Sequence, residues 1–216
     1  MGVTEARRGD WVELMKLVVI TATGDRPGRG HEDVASTALG AGCRAIQIRD
    51  KEMPDRDFVE LSRRIRAECE RAGALLFIND RVDVAAAAGC DGVHLGVSDL
   101  EVADARGILG PEAIIGYSPE GIEDARAAVE AGADYLGIGP VYETPSKDDA
   151  GEPIGLEGLS VFCHEVAVPV VAIGGITAEN AGRALAAGAV GVAVMSAITS
   201  APDVAEAAGR ILEKID

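Results

Sequence analysis

Eight short apolar runs, each followed by a helical stretch, set the tightest limit on how this chain can fold. The runs read as strands at Leu17–Thr21, Arg44–Ile48, Ala74–Ile78, Gly92–Leu95, Ala113–Tyr117, Tyr135–Gly139, Val168–Ile173 and Val190–Met195. None has the half-polar alternation of a sheet with one wet face. Continuous Val and Ile mean that both faces are covered, which calls for a parallel sheet. Helical patterns fill the gaps, ending near Gly42 and then spanning Pro54–Ala72, Val82–Ala88, Leu100–Leu109, Glu120–Ala131, Leu156–Glu165, Ala178–Ala187 and Asp203–Ile215. A small-residue unit recurs between helix and strand: Ala88-Gly89-Cys90-Asp91-Gly92, Ala131-Gly132-Ala133-Asp134 and Ala187-Gly188-Ala189-Val190-Gly191. Glycine there caps a helix C-terminus and lets the next strand approach closely. This internal echo favours an α/β fold of the (β/α)8 TIM-barrel type, in one domain from residue 16 to 216, over a doubly wound open sheet. Residues 1–15 are charged and mixed, and read as an N-terminal extension or short helix outside the repeat.

Composition narrows the function. A chain of 216 residues suits one barrel, and at 3% aromatic its core must be Ala, Val, Ile and Leu. No apolar run reaches the roughly 18 residues of a membrane span, and the first fifteen residues carry no signal-peptide core. A cytoplasmic protein is expected. Cys43, Cys69, Cys90 and Cys163 are widely spaced without a CxxC pair, so they read as free thiols rather than zinc ligands or disulfides. A net charge of −16 argues against nucleic-acid or anionic-membrane partners. Only four lysines occur, yet Lys51 and Lys147 both fall at strand ends or loops beside glycine-rich motifs.

In a barrel, chemistry gathers at the C-terminal ends of the strands. After strand two comes Gln47-Ile48-Arg49-Asp50-Lys51, where alternation puts Gln47, Arg49 and Lys51 on one face. Two cations and an amide there either pair with carboxylates or meet an anion. Strand three ends at Asn79-Asp80, strand four runs into Gly96-Val97-Ser98-Asp99, and strand five ends at Ser118. Asp80 and Asp99 suit a Mg²⁺ shared with phosphate oxygens, although each also precedes a helix it could cap. Gly174-Gly175-Ile176-Thr177 opens a helix after strand seven, and Met195-Ser196-Ala197 follows strand eight, the usual phosphate site of this fold. A long polar loop, Glu143 to Gly155, carries Thr144, Pro145, Ser146 and Lys147 and has the length of a lid. His94 is expected to pack or hydrogen-bond inside the barrel. The sequence contains no Ser-His-Asp or Cys-His set.

The ordered set resembles the thiamine-phosphate synthase family. It comprises Gln47 to Lys51, Phe77 to Asp80, Gly92 to Gly96 with Asp99, Gly116 to Ser118, Gly137 to Tyr142 with Thr144 to Lys147, Ile173 to Thr177, and Met195 to Ile198. The resemblance implies a barrel transferase of thiamine biosynthesis that joins hydroxymethylpyrimidine pyrophosphate to a thiazole phosphate, releasing pyrophosphate. It further implies that Gln47, Arg49, Lys51 and Asn79 hold the pyrimidine pyrophosphate and that Asp80 and Asp99 bind Mg²⁺. Ser118 and Lys147 would reach the pyrimidine or the leaving group, which makes Arg49, Lys51, Ser118 and Lys147 the expected catalytic set. The loop from Thr144 through Pro145 to Ser146, with Gly174 or Gly175, Met195 and Ser196, would take the thiazole phosphate. Pro145 and Pro119 depart from the residues more usual there. Two rival readings stand beside this one: a thiazole tautomerase of the same family, and a non-catalytic phosphate-binding barrel. A homodimer is left open.

Overall fold

A computed structural model describes residues 11–22, 29–144 and 151–215. The eight strands are β1 (Leu17–Thr21), β2 (Ala45–Ile48), β3 (Leu75–Asn79), β4 (Gly92–Gly96), β5 (Ile114–Ser118), β6 (Tyr135–Ile138), β7 (Val170–Ile173) and β8 (Gly191–Val194). They pair in parallel in sequence order, and the sheet closes where β1 meets β8, with Leu17 opposite Val192 and Val19 opposite Val194. Among the described residues the helices are α1 (Trp11–Leu14), α2 (His31–Gly40), α3 (Asp55–Ala72), α4 (Val82–Ala88), α5 (Val102–Leu109), α6 (Ile122–Glu130), α7 (Gly155–Glu165), α8 (Ala181–Ala186), α9 (Ser196–Thr199) and α10 (Val204–Ile215).

Strand alternation sorts the apolar residues into two cores. Val19, Ile46, Ile48, Leu76, Ile78, Val93 and Leu95 point outward and bury against the helices. Val18, Ile20, Ala45, Leu75, Phe77, Ile114, Tyr135, Val171 and Ala193 point inward and fill the barrel. Most strands carry apolar residues on both faces because each face has something to cover it, with polar exceptions such as His94 pointing into the barrel. Large and small inward residues alternate around the ring. A Cβ on Gly116 would lie 2.1 Å from the Tyr135 ring, and one on Gly137 would lie 2.8 Å from the His94 ring. Only glycine leaves those two rings their space.

The stretch set apart at the N-terminus contributes to this inner core. Trp11, Leu14 and Met15 pack under it, with the Trp11 and Tyr135 ring centroids 6.3 Å apart. This closes the N-terminal end and leaves the other end as the open mouth. Residues 1–10 of that stretch lie outside the described residues.

Three local features depart from the sequence reading. β3, β4 and β5 each run one residue further, because Asn79 pairs with His94 and Ser118 with Gly96. The segment after Gly175 does not open a helix directly. The Asn180 side chain accepts the Thr177 N–H at 2.8 Å and donates to the Gly175 carbonyl at 2.9 Å, making a turn that delays α8 to Ala181. After β8 the chain forms α9 at once, an element the apolar pattern of Val190–Met195 concealed.

Candidate active site

The C-terminal ends of the strands ring a cavity of about 640 Å³. Gln47, Arg49 and Lys51 all line it, as alternation along β2 requires. Asn79 adds an amide at the end of β3. Asp80 follows with φ at +64°, a left-handed conformation uncommon for a non-glycine residue and tolerated best by Asn and Asp. Its N–H donates to the His94 carbonyl at 2.8 Å, so the pairing with β4 extends one residue beyond the strand. Asp99 sits in the turn after β4, its Oδ2 accepting the Gly96 N–H at 2.7 Å. Neither carboxylate caps a helix, since Arg81 precedes α4 and Glu101 precedes α5.

The two carboxyl groups face each other. Burial, then the charge of Asp99 and a hydrogen bond shared with it, push Asp80 up to about 6, against the pull of Lys51 and Arg49. Two crowded carboxylates beside two cations suit a hard divalent ion that completes its shell with phosphate oxygens and water. Among the described residues no cluster of three or more His, Cys, Asp and Glu side chains forms, so these two stand as a pair.

Across the mouth the lining changes character. Gly174 and Gly175 both have left-handed φ, at +92° and +64°, and line the cavity with Ile176, Met195 and Ser196. A Cβ on Gly174 would lie 2.5 Å from Pro140 Cα, and one on Gly175 would lie 2.5 Å from the Glu143 carbonyl oxygen. Successive glycines in this conformation present bare backbone amides, the usual way such a turn accepts an anion. Thr144 lines the same cavity, while Pro145, Ser146 and Lys147 lie outside the described residues.

The cavity floor holds a group that sequence reasoning placed only inside the barrel. His94 Nε2 is 2.8 Å from Ser118 Oγ and its Nδ1 is 3.0 Å from the Tyr135 hydroxyl, and all three line the cavity. Burial pushes the Tyr135 phenol far up, keeping it neutral. A polar column thus rises from the barrel's sealed end to Ser118 at the mouth. Strand parity held the signal, since His94 shares a face with Gly92 and Gly96. Pro119 and Glu120 also line the cavity beside Ser118.

Fold and site together define a class: a (β/α)8-barrel enzyme whose open end has one wall of charged side chains and one of bare backbone. The model of the thiamine monophosphate synthase family matches residues 17–198, and the chain belongs to that family. It is 48% identical over 199 residues to the thiamine-phosphate synthase of Moorella thermoacetica, covering 92% of this chain and 95% of that one. It is 50% identical over 203 residues to the thiamine biosynthesis bifunctional protein ThiM/ThiE of Symbiobacterium thermophilum, 94% of this chain but only 41% of that longer protein. Among solved structures, thiamine phosphate pyrophosphorylase from Pyrococcus furiosus superposes with a TM-score of 0.87 at 40% identity, covering 95% of this chain and 97% of that one.

Proposed function

We propose that this protein is a thiamine-phosphate synthase, which condenses hydroxymethylpyrimidine pyrophosphate with a thiazole phosphate and releases pyrophosphate. One observation carries the reading: Arg49, Lys51, Asp80 and Asp99 surround the same cavity that the Gly174-Gly175 turn and Ser196 line from the far side. Two substrates, each bearing phosphate, need two anion sites facing one cavity.

The roles follow from the charges. The bond between the pyrimidine methylene carbon and the pyrophosphate oxygen breaks, and the electron pair leaves with oxygen. Arg49 and Lys51 stabilise that growing negative charge from fixed positions, as does Lys147 in this reading. Asp80 and Asp99 would hold a Mg²⁺, which would supply further positive charge at the pyrophosphate oxygens. Gln47 and Asn79 hold the pyrimidine pyrophosphate, and Ser118, oriented by His94, reaches the pyrimidine. The thiazole nitrogen then donates its lone pair to the methylene carbon and forms the new C–N bond. Thr144, Pro145, Ser146, Gly174, Gly175, Met195 and Ser196 hold the thiazole phosphate so that this nitrogen is in line. No protein nucleophile is required, and holding two substrates in line accounts for up to ~7–11 kcal/mol of the barrier.

The same reading places the protein in the cytoplasm, where Cys43, Cys69, Cys90 and Cys163, all free, would stay reduced. No helix of the described residues is long and apolar enough to cross a membrane. A homodimer is compatible with this reading.

The test is a paired assay. Purified protein with both substrates and Mg²⁺ is expected to release pyrophosphate and form thiamine phosphate in equal amounts. Conversion of a thiazole isomer, with the pyrimidine pyrophosphate ignored, would establish the tautomerase instead. Phosphate binding without turnover of either substrate would establish a non-catalytic barrel.

A further inference from the structure

Alternation that turns Arg49 and Lys51 toward the mouth turns Asp50 away from it, and Asp50 is not part of the cavity lining. Its side chain is 8% exposed, and both of its oxygens are used. Oδ1 accepts the N–H groups of Glu52 and Met53, each at 2.9 Å, which folds the backbone immediately after Lys51. Oδ2 lies 3.1 Å from Nε2 of His31, the first residue of α2. An ionised carboxylate offers only acceptors, so Nε2 carries the proton in this contact. Burial alone would raise the Asp50 carboxyl, but the donors from Glu52, His31 and Met53 outweigh it and hold the group below its ordinary range.

His31 is itself enclosed, with 2% of its side chain exposed, and its Nδ1 is 2.7 Å from Thr21 Oγ1. Thr21 ends β1. Its hydroxyl reaches the Gln47 carbonyl at 3.4 Å, and its own carbonyl accepts the Arg49 N–H at 3.2 Å. One chain of polar contacts therefore runs behind the two cations and grips both flanks of the segment that carries them. On the strand side it holds Gln47 and Arg49 through Thr21. On the loop side it holds Glu52 and Met53 through Asp50.

A buried histidine could do no more than satisfy its neighbours. What sets this one apart is where its partners lie. Arginine and lysine side chains lose much rotamer freedom when ordered on a ligand, and a backbone fixed beforehand lowers that cost. A misplacement of an ångström at a reacting centre can cost about a hundredfold in rate. We infer that His31 and Asp50 are positioning residues for the reaction, holding the Arg49–Lys51 backbone so that both cations converge on the departing pyrophosphate. This rests on the assignment of Arg49 and Lys51 to that group.

The test is steady-state kinetics on the full chain with Mg²⁺ and both substrates, comparing His31→Leu, His31→Gln and Asp50→Asn, with Lys51→Ala as reference. His31→Leu and Asp50→Asn are expected to lower kcat/KM for the pyrimidine pyrophosphate roughly ten- to a hundredfold, leaving KM for the thiazole phosphate unchanged. His31→Gln, whose amide can place a donor near the former Nε2, is expected to recover most of the loss. A purely structural role would lower the melting temperature and leave this asymmetry between substrates absent. Wild-type kinetics in folded His31→Leu or Asp50→Asn, or a comparable rise in KM for the thiazole phosphate, would overturn the inference. If His31→Leu does not fold, Asp50→Asn and His31→Gln decide by the same criteria. Lys51→Ala separates the two layers. Full activity there overturns the pyrophosphate assignment and the inference with it, whereas an inactive Lys51→Ala beside unimpaired His31→Leu and Asp50→Asn overturns the positioning role alone.

Discussion

In the proposed reading, the two walls of the mouth recognise anions by different means. On the β2–β4 side the contacts are side chains: Arg49, Lys51, Asp80 and Asp99. On the β7–β8 side they are mostly backbone, exposed by Gly174 and Gly175 and continued at the start of α9. The difference matches what each phosphate is asked to do. A leaving pyrophosphate gains charge as its bond breaks, and preorganised cations such as Arg and Lys stabilise that growing charge. A phosphate that only anchors its substrate carries the same charge throughout, and fixed amide dipoles suffice. Side chains on the first wall should therefore act mainly on kcat, and backbone on the second mainly on KM.

Lys51→Ala breaks this comparison most severely. In the proposed reaction it removes a charge that would face the leaving group, and the expected loss in kcat is about 10²–10³-fold. KM for the thiazole phosphate should be unchanged, and the melting curve should stay close to wild type, because the lysine is exposed at the mouth. Steady-state rates with each substrate varied in turn check it.

Asp80→Asn comes next: with Asp80 as a proposed Mg²⁺ ligand, about a hundredfold loss in kcat is expected, with an opposite effect on stability. The Asp80 carboxyl is raised to about 6 in the folded protein, mainly by burial and Asp99, against an ordinary value of 3.8. A raised carboxyl favours the fold while protonated, so its contribution is complete below the unfolded value and is lost as pH rises through about 6. At neutral pH the charged group thus works against the fold. Replacing it with Asn, which tolerates the left-handed backbone, should stabilise the metal-free protein by about 1 kcal/mol after allowance for solvent screening. Chelator-treated melting curves at pH values on either side of 6 read it directly, and a destabilised Asp80→Asn would show that the carboxyl pair is not strained by mutual repulsion.

Much of this division can be read along the chain. Parallel strands buried on both faces leave short apolar runs, set apart here by their regular alternation with helical stretches, and the cations at alternate positions after β2 announce their common direction. What could not be read depends on partners distant in sequence. Asp50 looks like one more polar residue of its motif until His31 is seen against it, and His31 looks unremarkable until Thr21 and Asp50 enclose it. The left-handed Asp80 carries no local mark, because its conformation is held by the His94 carbonyl on the next strand. The turn after Gly175 reads as a helix start because threonine is a good N-cap type, whereas the Asn180 side chain bonds back to Thr177 and Gly175 and the helix begins only at Ala181.

Gly175→Ala probes the backbone wall. The added Cβ would meet the Glu143 carbonyl oxygen at 2.5 Å and Tyr142 Cβ at 2.7 Å, on a backbone whose φ is +64°. Relief requires the turn to move, at a cost of about 1–3 kcal/mol in stability. The amides move with it, so KM for the thiazole phosphate should rise about tenfold or more while kcat at saturation falls little. Isothermal titration with inorganic phosphate offers an independent measure.

Ser196→Ala makes the smallest change and the finest test. The substitution keeps the backbone amide at the start of α9 and removes only a hydroxyl. A hydrogen bond to a charged acceptor contributes about 1.5–3 kcal/mol at most, and an adjoining amide or a water can take over part of it. The expected rise in KM for the thiazole phosphate is therefore about fivefold, with kcat unchanged and no effect on the pyrimidine pyrophosphate. Should Ser196→Ala instead depress kcat as deeply as Lys51→Ala, the hydroxyl would have to act on the breaking bond. The β7–β8 wall would then share in leaving-group chemistry, and the division of labour between the two sides of the mouth would not hold.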